Sequence, residues 1–300
     1  MKKLVMSILI VLAGLFAVDR LGGAAMGLVC KFSNDGFSPK FRYLQNGIHE
    51  DIVFLGASRC QHHYVPGIIA DSLGKSVYNA GFGNSDNIYS HYIVLNHILD
   101  RYTPEMICLE VMPSDYNLQD DPFVFISMFA PLFGKCKGAD SVFRQAGTYW
   151  RYKVSLLYRY NARASSNLWG LIINREQRND RGYTPLRPSS SFPDRIRLEE
   201  KDTGVDQQKI EYLHHFVDLC RQNGVKVVFV VSPKYTRVDG THYDILKDFA
   251  EAQSIPFLDY HTPGLYLDHP EYFKDEGHLW DKGARLYSSV IAQDLKALFK

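Results

Sequence analysis

The stretch Asp51-Ile-Val-Phe-Leu-Gly-Ala-Ser58 decides the fold of this chain. A short β-branched and aromatic run that ends at a glycine is typical of a buried strand, and a helical pattern begins near Pro66. Four similar runs follow, over Ser76–Asn79, Met106–Val111, Val225–Val231 and Ile255–Leu258. Apolar residues at helical spacing lie between or after them, over Asp86–Leu99, Gln207–Gln222, Tyr243–Ala252 and Lys282–Leu298. This alternation predicts an α/β fold around a mainly parallel, five-stranded sheet.

The amino terminus has the features of an export signal. Lys2 and Lys3 precede an apolar run over residues 4–18, and a second apolar stretch, 21–30, follows Asp19 and Arg20 without a good cleavage site. We therefore expect residues 1–30 to form an uncleaved signal anchor, with residues 31–300 outside the cytoplasm, as in the periplasm. A cleaved signal and a secreted protein remain the alternative. Lipidation of Cys30 is disfavoured because Val29 precedes it.

Composition excludes several classes of protein. The 300 residues are 46% hydrophobic and 22% charged, as in ordinary globular proteins, and the net charge of +1 gives no general attraction to nucleic acid. The five cysteines are widely spaced and form no C-x-x-C pair, so we expect mostly buried free thiols.

Residues 118–205 interrupt the α/β alternation, and we interpret them as a largely helical insertion within the domain. From Asp140 to Arg197 the chain has 11 Lys/Arg and 4 Asp/Glu, an excess of 11 − 4 = +7, with aromatic residues among them. This segment is either an amphipathic helical pair with a solvated basic face or a binding site for an anionic or saccharide ligand.

Ser58 follows the first predicted strand directly. Ligands and nucleophiles of open α/β sheets collect at the carboxyl ends of the strands, and small neighbours let a substrate carbonyl approach a serine there. A serine in this position is also a common turn or capping residue.

Asp275 and His278 lie just before the last predicted helix. A serine hydroxyl needs a base to remove its proton, and a carboxylate that fixes the tautomer of a histidine makes that base effective. The spacing lets Asp275 reach one ring nitrogen of His278 while the other points to Ser58. The alternative is a helix start with a surface histidine.

Donors for a developing oxyanion are expected in the loop after the second strand. Gly81 offers a backbone N–H without a side chain in the way, and Asn79 or Asn84 offers an amide. A plain glycine turn is the alternative.

These motifs resemble those of the SGNH (GDSL-like) hydrolases. Gly56-Ala57-Ser58 corresponds to the first block of that family, Gly81 to the glycine of the second, and Asp275 with His278 to Asp-x-x-His of the fifth. The third block falls at Met112-Pro113-Ser114-Asp115, where Ser114 replaces the usual asparagine and could substitute for it, as could Asn84. The resemblance implies a flavodoxin-like three-layer α/β/α sandwich, a catalytic Ser58–His278–Asp275 triad, and no metal or other cofactor.

A narrower resemblance extends from Gly56 to Pro66, in Gly-x-Ser-Arg-x-x-His-His-Tyr-x-Pro. It is similar to membrane-anchored SGNH-like proteins of bacterial envelopes, a group that includes alginate acetyltransferases and the D-alanyl transfer protein of teichoic acid modification. Arg59, His62 and His63 are then candidates to line the pocket, with Arg59 paired to a carboxylate or an anionic substrate. His214 and His215 are expected on the surface of a helix.

Together these features predict an extracytoplasmic serine esterase or O-acyltransferase that acts on acyl groups, such as acetyl, of envelope glycans. Its expected partners are the carbohydrate substrate, the membrane through the anchor and other envelope-modification proteins, with no nucleic acid. A noncatalytic SGNH-like module that binds a glycan or acts as a scaffold is the main alternative, and a lipid-ester hydrolase is a weaker one.

Overall fold

The computed structural model describes residues 1–172, 180–188, 197–198, 204–237, 243–261, 266 and 268–299. The strands are β1 (Ile52–Leu55), β2 (Val77–Asn79), β3 (Met106–Glu110), β4 (Arg197–Leu198), β5 (Lys226–Val231), β6 (Thr236–Arg237) and β7 (Phe257–Asp259). The α-helices are α1 (Lys2–Phe32), α2 (Phe37–Asn46), α3 (Ser58–His63), α4 (Pro66–Leu73), α5 (Ile88–Leu99), α6 (Lys137–Gln145), α7 (Tyr149–Val154), α8 (Ala164–Ile172), α9 (Gln207–Gln222), α10 (Asp244–Ala252) and α11 (Asp281–Leu298). Short 3₁₀ helices cover Pro113–Asp115, Ile126–Leu132, Leu157–Arg163 and Pro270–Tyr272.

The chain divides into two compact units. One contains Met1–Gln45 and Ile126–Glu176, and the other contains Asn46–Phe125 and Gln177–Lys300. The first unit is helical and includes α1 and residues 126–172 of the predicted insertion, whereas the other described residues of the insertion belong to the second unit. In the basic and polar stretch 174–193, residues 180–188 are described and the others lie outside the described residues.

The second unit contains the predicted five-stranded sheet, in the order β2-β1-β3-β5-β7, with every pairing parallel. The chain thus has the flavodoxin-like strand order, with its switch point between β1 and β3. A separate pair joins β4 to β6. The predicted α/β architecture is confirmed, and all five predicted strands are present with ends that shift by at most two residues.

Helices cover both faces of this sheet. Ile52 and Phe54 of β1 belong to a buried cluster that includes Tyr64 and residues of α4 and α11. On the opposite face, Phe229 of β5 stacks on Phe249 of α10 with 6.1 Å between ring centroids, and α5 packs on α9. Because successive side chains of a strand alternate between faces, strands buried on both sides read as continuous apolar runs, as this sequence does.

The structure differs from the expectation just after β1. We expected a loop after Ser58 and a helix from about Pro66, but α3 begins at Ser58 itself. The helix ends because Tyr64 and Val65 are extended, as residues before a proline usually are, and Pro66 opens α4 at its first turn. Ser58 is therefore held by a helix rather than by a loop.

The five cysteines are free, and four of them are buried, which confirms the thiol prediction. His214 and His215 lie on the exposed face of α9, also as predicted.

Candidate active site

Ser58 lies at a sharp transition from β1 to α3 that only glycine permits at position 56. Gly56 has φ of +151°, and a Cβ there would lie 2.7 Å from Cys60 Cβ and 2.8 Å from Glu110 Cβ. The missing side chain lets α3 start directly over the end of β3. Because parallel strands end at the same edge of the sheet, Ser58 shares this edge with the loops that follow β2, β3 and β5.

The structure brings Ser58, His278 and Asp275 together. Ser58 Oγ lies 2.9 Å from His278 Nε2, and His278 Nδ1 lies 2.9 Å from Asp275 Oδ1. An ionised carboxylate only accepts hydrogen bonds, so the proton of the neutral ring is on Nδ1 and Nε2 accepts from the serine hydroxyl. This is the tautomer that a general base needs.

The loop that carries His278 is held at several points. Phe273 and Leu279 form an antiparallel bridge across it, and Lys274 N–H donates to His278 O at 2.7 Å. Tyr235 N–H, after β5, donates to Glu276 O at 2.8 Å. The histidine is therefore attached to the end of the sheet despite lying in a loop.

Asp275 is a partly exposed carboxylate, with 55% of its side chain accessible. Burial alone would raise its pKa, but the hydrogen bonds from His278 and Gly277 and the charge of His278 lower the pKa overall. Gly277 N–H donates to the same oxygen as His278, at 2.9 Å, which fixes the carboxylate toward the ring.

Below the triad, a chain of buried polar groups links His278 to the sheet. Leu279 N–H donates to His63 Nε2 at 3.0 Å, so His63 must donate from Nδ1 to Ser232 Oγ at 2.8 Å. Ser232 Oγ in turn donates to Glu110 Oε1 at 2.8 Å. Burial lowers the pKa of His63 well below its usual value, and the charges of His278 and Arg59 lower it further. His63 is therefore neutral, and its two ring nitrogens connect the backbone next to His278 with Ser232. We call His63, Ser232 and Glu110 the support beneath the site.

Arg59 is also part of this support. Its side chain is 5% exposed and lies 3.1 Å from Glu110 Oε1 and 3.1 Å from Val111 O. Tyr64 donates a further hydrogen bond to Glu110 Oε2. Arg59 thus pairs with a carboxylate of the protein, which was one of its two expected roles.

His62 lies beside His278. Its ring centroid is 5.9 Å from that of His278 in an edge-on arrangement, and its Nδ1 donates to Thr184 O at 2.6 Å. Thr184 O fixes the ring in this position, so His62 forms one wall of the site.

The loop after β2 packs tightly against α3. A Cβ on Gly81 would lie 2.6 Å from Gln61 N, so this glycine allows the close approach. The Gly81 N–H donates to Asn79 Oδ1 at 3.0 Å, and Asn79 Nδ2 donates to Cys60 O and Tyr64 O. Asn79 therefore joins the loop to α3, while Asn84 is exposed at the tip with φ of +62°. An oxyanion contact from Gly81 or Asn84 stays a prediction.

Ser114 lies in the 3₁₀ turn after β3. Asp115 Oδ2 accepts from Met112 N–H at 2.8 Å and closes this turn, and Lys209 Nζ donates to Ser114 O at 2.9 Å. Ser114 Oγ is buried, with no hydrogen-bond partner among the residues that the structure describes.

Two charged residues near the site were not identified from the sequence. Asp86 lies close enough to Arg59 and His278 for their charges to lower its pKa, although burial raises the pKa overall. Burial lowers the pKa of Lys234 to about 7, and the charge of Arg59 acts in the same direction. Asp86 follows the Gly81–Asn84 loop and Lys234 follows β5, so both lie after strands of the sheet, but neither belongs to a recognisable motif.

No metal site is evident in the described part of the chain, where no three His, Cys, Asp or Glu side chains are grouped to hold an ion.

Comparisons with known proteins give limited matches. No protein-family model matches the chain, and no curated protein does. Among solved structures, the chain is similar to a "putative acylhydrolase" from Bacteroides fragilis, with 14% identity, a TM-score of 0.43, and coverage of 89% of this chain and 98% of that one. It is also similar to a "GDSL-like lipase" from Bacteroides thetaiotaomicron, with 12% identity, a TM-score of 0.40, and coverage of 86% and 98%. Identities and TM-scores this low leave the activity of this chain to be inferred from its own residues.

Proposed function

We propose that this chain is a serine-dependent esterase or O-acyltransferase of the SGNH type, acting outside the cytoplasm on acyl groups of envelope carbohydrates. The observation that carries the proposal is the hydrogen-bonded series Ser58, His278 and Asp275, with two contacts of 2.9 Å. The order of these residues along the chain and their place at the sheet edge support it.

The mechanism follows from the tautomer of His278. Ser58 Oγ attacks the acyl carbonyl while its proton moves to His278 Nε2, and Asp275 stabilises the imidazolium that forms. Collapse of the tetrahedral intermediate breaks the bond to the leaving alcohol, which takes the proton from His278. Water or a sugar hydroxyl then gives its proton to His278 and attacks the acyl-serine. The bond from the acyl carbon to Ser58 Oγ breaks, Ser58 Oγ takes the proton back from His278, and the acid or the new ester is released.

The oxyanion of the tetrahedral intermediate needs donors close to Ser58. We assign this role to the backbone N–H of Ser58, which lies in the first turn of α3 where N–H groups have no intrahelical acceptor. We add the hydroxyl of Ser114 as the replacement for the asparagine of the third block.

The openness of the site supports a large substrate. The side chain of Asp275 is 55% exposed and that of His278 is 28% exposed, so both are in contact with solvent. We infer that a glycan carrying an acyl group can approach them from the surface.

The first test is labelling of the full chain with a fluorophosphonate probe, followed by peptide mass spectrometry. We expect modification of Ser58, loss of labelling in Ser58→Ala and His278→Ala, and normal labelling in His214→Ala, an exposed histidine of α9. Labelling that persists in folded His278→Ala would refute the proposed base. Turnover of acetylated oligosaccharides, with and without a sugar acceptor, then separates esterase from transferase.

A noncatalytic glycan-binding or scaffold module is the second candidate. It is favoured by the engagement of the Gly81 N–H with Asn79 and by Ser114 at the position of the usual asparagine. A folded protein that binds acylated glycan but is never labelled at Ser58 would support this candidate over the first.

We also propose that α1 is a membrane anchor. It has 31 residues with a mean hydropathy of 2.2 over its most apolar window, enough to cross a membrane by length and composition, although a signal sequence meets the same test. Lys2 and Lys3 would keep its start in the cytoplasm. Retention of the full chain in membranes after alkaline washing, without amino-terminal cleavage, is the expected result.

A further inference from the structure

We propose that the segment Tyr149–Tyr158 rests on the phospholipid bilayer that α1 crosses, forming a second membrane contact beside the anchor. We call this segment, with its exposed side chains, the 149–158 surface. This inference rests on the proposed membrane span but is independent of the chemistry at Ser58.

The length of the apolar run sets the depth of Asp19 and Arg20. Residues 4–18 of α1 cover about 22 Å at 1.5 Å per residue, but the hydrocarbon core of a bilayer is about 30 Å thick. A span that begins near Lys3 therefore reaches to about Gly23 and includes Asp19 and Arg20 at its far end. Charged side chains at such depth are costly unless they are paired.

The 149–158 surface supplies the pairing. Ser155 donates from its hydroxyl to Asp19, whose carboxylate also accepts from Leu156 N–H at 2.8 Å and Leu157 N–H at 3.3 Å. Arg20 donates to Val154 O at 2.5 Å. These contacts place residues 154–157 at the same depth in the proposed bilayer as Asp19.

Glycines in α1 allow this close contact. A Cβ on Gly23 would lie 2.5 Å from Leu156 Cγ and 2.8 Å from Leu156 C, and one on Gly22 would lie 3.3 Å from Leu157 Cδ2. The segment therefore lies against the helix at the end of the proposed span, rather than at a distance from it.

The outward side chains of this surface suit a bilayer. Trp150 is 66% exposed and Val154 is 67% exposed, and Leu157 and Tyr158 are exposed as well. Tryptophan and tyrosine are enriched at membrane interfaces, where an aromatic ring fits between the acyl chains and the headgroups.

The charge of this surface is complementary to headgroup phosphates. Arg151 and Lys153 are exposed, with Lys153 Nζ 5.2 Å from the Trp150 ring. The sequence has no acidic residue from Ser141 to Ile172. Basic side chains next to a bilayer are attracted to anionic headgroups. An exposed apolar patch that carries Arg151 and Lys153 and is continuous with a membrane helix favours lipid over a protein partner.

A cavity in the same region adds room for an apolar group. It has a volume of about 380 Å³ and is lined by Met26, Leu157, Tyr158, Tyr160 and Ala164, among others. Because the cavity shares Leu157 and Tyr158 with the 149–158 surface, an acyl chain is the occupant that its lining suits.

The test uses tryptophan fluorescence of the full chain in vesicles. The chain has three tryptophans, Trp150, Trp169 and Trp280. Two double variants are compared. One carries Trp169→Phe and Trp280→Phe and keeps Trp150 as its single tryptophan, and the other carries Trp150→Phe and Trp280→Phe and keeps Trp169. The vesicles contain phosphatidylcholine and phosphatidylglycerol, without or with bromine atoms near the glycerol end of the acyl chains.

Trp169 is the matched control. It is 56% exposed on α8, but Gly170 O next to it accepts from Asn34 N–H at 2.9 Å, 15 residues beyond Asp19. Trp169 therefore lies about 20 Å further along the axis of α1, outside the proposed bilayer. We expect brominated lipid to quench Trp150 at least about twofold, and Trp169 much less. Arg151→Gln with Lys153→Gln should reduce the quenching of Trp150.

Three outcomes would overturn the proposal. If the protein fails to float with the vesicles after alkaline washing, the span itself is wrong. If it floats but lipid quenches Trp150 no more than Trp169, the span holds and the 149–158 surface does not touch lipid. If neither brominated lipid nor aqueous iodide quenches Trp150, protein covers this surface. Labelling of Ser58 in the same vesicles separates each of these from a failure of the proposed chemistry.

Discussion

Replacement of Asp275 by asparagine isolates the charge of the triad carboxylate. Asparagine keeps an oxygen that can accept from His278 Nδ1 and from Gly277 N–H, so the local geometry can persist without the negative charge. Under the proposed mechanism, what is lost is the stabilisation of the imidazolium that forms when His278 takes the proton of Ser58.

The magnitude follows from the exposure of Asp275. A hydrogen bond to a charged group contributes about 1.5 to 3 kcal/mol, and each 1.36 kcal/mol corresponds to a tenfold change in rate. A buried triad aspartate can be worth about 10⁴-fold in kcat. Because 55% of the Asp275 side chain is exposed, water screens its charge, and we expect a loss of about 10- to 100-fold.

The assay is the second-order rate of fluorophosphonate labelling at Ser58, which needs no knowledge of the natural substrate. Glu276→Gln is the matched control, since it removes a neighbouring carboxylate of the same loop while keeping the Glu276 carbonyl that Tyr235 binds. Its rate should stay within about twofold of the parent. A folded Asp275→Asn protein that is labelled as fast as the parent would show that Asp275 does not orient or assist His278.

Three further predictions concern the support beneath the site. Gly56→Ala should lower the free energy of unfolding by about 2 kcal/mol or more in a urea titration, because the added Cβ would lie 2.8 Å or less from Glu110 and Cys60. An unchanged urea midpoint would contradict the tight packing. Glu110→Gln should lower the free energy of unfolding by about 3 to 5 kcal/mol in the same assay, because Arg59 is left buried without its counter-charge. The control Glu105→Gln removes an exposed partner of Lys75 and should lower it by less than about 1 kcal/mol. The lowered pKa of His63 means that the unfolded chain takes up a proton below about pH 6.5 while the folded chain does not, so stability should fall as the pH drops below that value, by up to about 1.4 kcal/mol per pH unit. The difference in slope between the parent and His63→Gln from pH 6.5 to 5 measures this effect, and equal slopes would show that His63 is protonated in the folded state.

The sequence predicts the sheet well because its strands are buried on both faces. β1 is apolar throughout, and β3 and β5 are apolar except for one terminal charged residue each, Glu110 and Lys226. Short apolar runs separated by helical segments are typical of buried parallel strands. The Asp275–His278 spacing and the strand-end position of Ser58 are local patterns, so the sequence could single out these three residues. It could not show that Ser58 and His278, which are 220 residues apart, come within hydrogen-bond distance.

The support beneath the triad was not predictable from the sequence. His63 was expected near the pocket together with His62, but neighbouring residues of a helix point in different directions, and only packing against Ser232 and Leu279 determines which of the two is buried. Glu110 ends a strand without any sign in the sequence that it accepts from Arg59, Ser232 and Tyr64. Contacts among residues so far apart in the chain depend on the register of the sheet.

The separation of Ser58 and His278 by 220 residues has a consequence for biosynthesis. At about 5 to 20 residues per second, His278 is synthesised about 10 to 40 s after Ser58. During that interval β1 and α3 lack the histidine that we propose activates the serine hydroxyl. Under the proposed mechanism, the growing polypeptide therefore carries an unreactive serine until the loop before α11 has been made and joined to the sheet, and this order of synthesis protects Ser58 from premature acylation.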